Sequence, residues 1–85
     1  MKTVYILAAQ YETAVVPVER VAKEYFGGLD NDSFMRKVRL GDIRLPVVRM
    51  ENSQKGARGV HVEDLARYID ARRDAAVKEM RQLWD

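Results

Sequence analysis

The sequence predicts a small α+β domain, on three observations. Apolar residues recur at helical spacing on either side of a Gly27-Gly28 pair, from Val18 to Phe26 and from Phe34 to Val38. Two runs rich in β-branched residues, Arg44 to Met50 and Val60 to Val62, bracket a polar loop with two glycines. A long charged segment then keeps one apolar stripe from Leu65 to Trp84. Eighty-five residues leave no room for two independent cores, so residues 1–85 form one domain. A chain of this length buries only about 60–65% of its unfolded surface, a thin core that favours a partner chain.

Thr3 to Ala8 is β-branched and aromatic and reads as an N-terminal strand, with Gln10 to Val16 as a connection. Pro17 suits the first position of a helix, where its missing N–H costs nothing. Val18, Val21, Ala22, Tyr25 and Phe26 form that helix's inner face, and Gly27-Gly28 ends it. Asp30, Asn31 and Asp32 are each good N-caps for a second short helix, with Phe34, Met35 and Val38 inward and Gly41 closing it. Two short helices around a glycine turn, over about 17–41, match a helix-turn-helix.

The run Arg44 to Met50 alternates as a strand, with Pro46 at an edge or start. With Val60 to Val62 it makes a β-hairpin wing over about 44–62. His61 falls where a cap belongs, ahead of Glu63 and Asp64, which suit a first helical turn. The C-terminal helix follows over about 63–84. Its inner stripe is Leu65, Ala66, Ile69, Ala76, Val77, Met80 and Trp84, interrupted by Arg73, and Glu63–Arg67 and Asp74–Lys78 are spaced as i,i+4 ion pairs. A helix of ~30 Å outreaches so small a core. Its second patch, Ala76, Val77, Met80, Leu83 and Trp84, is therefore expected to pack on another subunit, as a homodimer, or to fold back over the N-terminal strand.

Charge and chemistry narrow the function. The net charge is +2, but residues 31–60 carry +4 while each flank carries −1. That basic middle is where a polyanion would be drawn. No cysteine is present, which excludes disulfides and thiolate metal sites and fits a reducing cytoplasm. The Val4–Ala9 run is too short for a membrane span or a signal peptide. One histidine and the serines Ser33 and Ser53 supply neither a catalytic constellation nor a His-rich metal site, and no phosphate-cradling glycine motif occurs. The sequence thus predicts no enzyme, no cofactor and no metal. Gly56-Ala-Arg-Gly59 has the GxxG form of a KH loop but lies between strands rather than helices.

The second short helix offers Asn31, Ser33, Arg36, Lys37 and Arg39 as DNA contacts, since Arg pairs with guanine and Asn with adenine. Ser33, Arg36 and Lys37 share a face; Arg39 lies off it, toward phosphate. Ser53, Gln54, Lys55 and Arg58 in the wing suit phosphate or minor-groove contact.

Val16-Pro-Val-Glu-Arg-Val-Ala-Lys-Glu-Tyr-Phe26, Arg44-Leu-Pro46, Ser53-Gln-Lys-Gly56 and Gly59-Val-His-Val-Glu-Asp-Leu-Ala-Arg-Tyr-Ile-Asp70 resemble the pyocin activator protein family (PrtN), as does Leu7-Ala-Ala-Gln-Tyr11. The resemblance implies a bacterial transcriptional activator that binds promoter DNA of bacteriocin or prophage-like genes; RNA polymerase is a further expected partner. The broader architecture resembles winged helix-turn-helix domains of the excisionase and MerR type. Two other functions fit the residues: a phage-derived adaptor binding a protein through Val77–Trp84, and an excisionase-like DNA-bending factor.

Overall fold

The computed structural model describes residues 2–53 and 56–84. Four helices and three short strands follow in the order α1 (Thr3–Tyr11), β1 (Val15–Pro17), α2 (Val18–Tyr25), α3 (Asn31–Arg39), β2 (Val48–Arg49), β3 (Arg58–His61) and α4 (Val62–Trp84). The fold is α+β.

The N-terminal segment is helix, not the expected strand. A short apolar run with Val4, Tyr5 and Ile6 fits either state by pattern, and tertiary packing decides. Here α1 lies on α4, burying Leu7 and Tyr11. Thr3 Oγ1 donates to Asp70 Oδ1 at 2.7 Å. At the other end the Tyr11 hydroxyl donates to Glu24 of α2, and the Arg20 guanidinium stands 4.6 Å from the Tyr11 ring centre. Burial, then the bond to Glu24, push the Tyr11 phenol well above its usual pKa, so it stays a donor. The strand of this region lies later, at Val15–Pro17, across the end of the expected connection and the expected helix start.

The sheet order is β1-β3-β2, antiparallel throughout, with Val16 opposite Val60 and Val48 opposite Gly59. Gly59 sits in the middle of this sheet because the strands close on it: a Cβ there would run into Val15 Cγ1 and lie 2.7 Å from the Val16 carbonyl oxygen. The expected strand from Arg44 to Met50 shrinks to two residues. Upstream, Ile43 and Leu45 are buried as single anchors in an irregular stretch around Pro46.

Pro17 ends β1 and is the N-cap of α2, one residue ahead of the first helical position expected for it, and Val18, Val21 and Ala22 are buried. Tyr25 stays exposed, whereas Phe26 packs edge-on to Phe34, with ring centres 5.3 Å apart. The α2 end is closed by Gly28 N–H to the Ala22 carbonyl, with Gly27 and Gly28 both at positive φ. Phe34, Leu65, Val16, Val21 and Val60 are fully buried, so α2, α3, the sheet and the start of α4 share one core.

Helix α4 starts on a cap made by His61, whose Nδ1 accepts from Glu63 N–H at 3.0 Å. Arg67 meets Glu63 at 3.9 Å and Asp64 at 3.3 Å. Asp74 and Lys78 form no such pair. Only Val62, Leu65 and Ala66 of this helix are buried. Beyond Asp70 it leaves the body, giving a molecule 50 Å long and 19 Å across its thinnest direction. Of the expected second patch, Ala76, Met80, Leu83 and Trp84 are exposed and Val77 is half-buried, so the tail does not fold back over the N-terminus.

Candidate nucleic-acid interface

Helix α3 is set by its two ends and one sealed face. Asp30 is the N-cap, its carboxylate accepting from Ser33 N–H at 2.7 Å. That bond holds the Asp30 carboxyl below its ordinary pKa, and nearby Arg36 adds a smaller push the same way. Phe34 and Met35 are buried and Val38 is half-buried, which turns Arg36, Arg39 and Leu40 to solvent. The cations Arg36, Lys37 and Arg39 occupy the last turn, where the helix dipole favours them.

The polarity along α3 divides the residues expected to act together. At its N-terminal end stand Asp30, Asp32 and Asn31, and the Asn31 amide donates to Glu19 Oε1 of α2 at 3.1 Å. This end is acidic. Ser33 is half-buried beside the cap. Arg36 is fully presented, and no described residue forms an ion pair with it, with Lys37 or with Arg39. Lys37 is half-buried in a groove with Phe26, Leu29, Asp42, Ile43, Tyr68 and Arg72, on the α4 side rather than beside Arg36.

The hairpin approaches the other side of α3. Arg58 and Ala57 line a cleft with Glu19, Asn31, Asp32 and Met35. Arg58 is half-buried in β3 opposite Arg49, which is exposed on β2. Ser53 is exposed in the intervening loop; Gln54 and Lys55 lie outside the described residues. Two exposed residues beside this surface escape sequence reasoning. Leu40 is 70% exposed four residues after Arg36, and Arg49 is exposed on the hairpin's β2 strand. The i,i+4 spacing from Arg36 was the available signal for Leu40; Arg49 was hidden inside an overlong strand.

Among the described residues, no three His, Asp or Glu side chains gather to hold a metal ion, and no helix is long and apolar enough to cross a membrane.

A family model described as pyocin activator protein PrtN matches residues 3–76. The chain belongs to this family. The match runs from the start of α1 into α4 and includes all of α2, α3 and the hairpin. Membership in the PrtN family points to a regulator of pyocin genes. The α4 segment from Val77 onward lies past the matched region. No curated protein and no solved structure matches this PrtN-family chain at a significant level.

Proposed function

We propose that this protein is a sequence-specific DNA-binding activator of pyocin genes, in which α2 and α3 form a helix-turn-helix and β2–β3 form its wing. The observation that carries the reading is Arg36: exposed, in no ion pair among the described residues, on a helix whose opposite face is sealed by Phe34 and Met35. A guanidinium so placed can make a bidentate contact to guanine in the major groove.

The charge gradient of α3 orients the complex. Asp30, Asp32 and Glu19 repel phosphate, so the duplex meets the middle and C-terminal end of α3, not its first turn. Arg36 reads base edges there, and Leu40 contacts a thymine methyl group. Arg39 and Arg49 reach phosphates on either side, with Ser53 of the hairpin loop adding to them. Asn31, bonded to Glu19, holds the two helices together instead of reading adenine. No catalytic role is proposed for the one histidine, which accepts from Glu63 N–H as the α4 cap. Promoter DNA and RNA polymerase are the partners.

Selection of bound duplexes from a random DNA library tests this. A recurring motif should emerge, and Arg36→Ala should lose preference at one guanine position. Failure to enrich any sequence, or an Arg36→Ala protein with the same motif and affinity, would overturn the proposal.

A further inference from the structure

Among the described residues, nothing covers two apolar surfaces of this chain. One is the outer side of α1, where Tyr5 is 60% and Ile6 51% exposed. No charged residue occurs from Thr3 to Tyr11, so this helix lacks the polar face expected of one that meets water. The other is the stripe of α4 past Asp70, where Met80, Leu83 and Trp84 are 53%, 74% and 83% exposed. At 100° per residue, Ala76, Val77, Met80, Leu83 and Trp84 fall within an arc of about 120°, a packing face in width.

We infer that a second copy of this chain covers both surfaces, through antiparallel pairing of the two α4 segments about a two-fold axis at Val77. The dimensions favour this occupant. The bond from Thr3 marks Asp70 as the point where α1 begins, and the helix runs on to Trp84, about 14 residues or ~21 Å further. Two such segments laid antiparallel about Val77 bring Trp84 of each level with Asp70 of the other. Trp84 then reaches Tyr5 and Ile6 at the start of the partner subunit's α1. Both bare surfaces are closed by one operation, as an isologous contact requires.

The charges fit the same register. Arg73, the residue that interrupts the stripe, comes beside the indole of Trp84 from the partner subunit, where a cation is favoured over an aromatic face. Along one flank Arg81 of the partner subunit comes level with Arg73, and Asp74 lies beside both guanidiniums to offset their repulsion; along the other, Arg72 approaches Glu79 of the partner subunit. Parallel pairing would instead set Arg73 against Arg73. The area is sufficient as well. Exposed parts of Tyr5, Ile6, Met80, Leu83 and Trp84 come to roughly 700 Å² per copy, so a pair offers at most about 1,400 Å² from these residues, which reaches the ~1,200–2,000 Å² of stable interfaces when nearly all of it is covered.

Sedimentation equilibrium of the full chain without DNA, together with cysteine cross-linking, tests the inference. Because the chain has no cysteine, a single introduced thiol reports alone. The expected mass is twice the 9.8 kDa of one chain. Val77→Cys should oxidise to a cross-linked dimer, while Gln82→Cys, on the far side of the helix, should not. Met80→Glu with Trp84→Glu should give a monomer of unchanged helix content, because both side chains are exposed. A monomeric parent chain would overturn the inference, and so would cross-linking of Gln82→Cys as fast as Val77→Cys. None of these readouts involves DNA, so they stand or fall apart from the proposed function.

Discussion

Helix α3 and the tail of α4 are both amphipathic, yet the fold uses them in opposite ways. In α3 the apolar side is buried on Phe34 and Met35, and the side left in water is cationic at Arg36 and Arg39. In the α4 tail the apolar side itself is left in water, at Met80, Leu83 and Trp84. A charged face can stay solvated at little cost until a polyanion meets it; a bare apolar face gains from burial against protein. The difference separates a surface suited to nucleic acid from one suited to another chain.

The largest expected effect comes from breaking the sealed side of α3. Phe34→Ala should cost about 3–5 kcal/mol of folding stability in urea denaturation, since the ring is fully buried against Phe26. Met80→Ala, measured in dilute protein where any dimer has dissociated, should change stability by only about 0.5 kcal/mol or less. Equal losses at the two positions would erase the contrast.

Arg36→Ala sharpens the other half of the comparison. It should leave stability nearly unchanged while costing about 1–3 kcal/mol of specific DNA affinity in fluorescence anisotropy. A smaller effect is expected at Arg49, exposed on β2. There, Ala should weaken binding to every sequence alike and lower the slope of log affinity against log salt by about 1.

The smallest effect concerns the α3 cap. The Asp30 carboxyl has a lowered pKa in the folded chain, so its contribution is whole above the ordinary carboxylate range and is lost as pH falls through the lowered value. Thermal unfolding followed across acidic pH should show the parent chain losing more of its melting temperature than Asp30→Ala. Parallel curves would mean that the carboxylate does not act as the cap.

Much of this was legible in the residues. The α2 and α3 helices follow their apolar spacing, Gly27-Gly28 ends the first, and His61 caps α4, because each rests on local backbone chemistry. The N-terminal segment was not legible. Val4, Tyr5 and Ile6 favour a strand locally, and only packing on α4 selects helix. Nor did spacing reveal that Asn31 bonds Glu19, or that Lys37 turns toward Tyr68 and Arg72; both depend on which element lies alongside α3. Length alone told that the α4 tail outreaches this core, ~30 Å of helix being more than it can cover, but not whether the tail folds back over the N-terminus, which it does not.

Amide chemical-shift mapping of the full chain, titrated with a duplex selected from the random library, bears on the central claim most directly. The predicted result is a set of shifts centred on Arg36 to Leu40 and on Arg49, with the first turn of α3 and the α4 tail from Val77 onward undisturbed. Shifts centred on the α4 tail or on α1, with Arg36 and its neighbours unmoved, would contradict it.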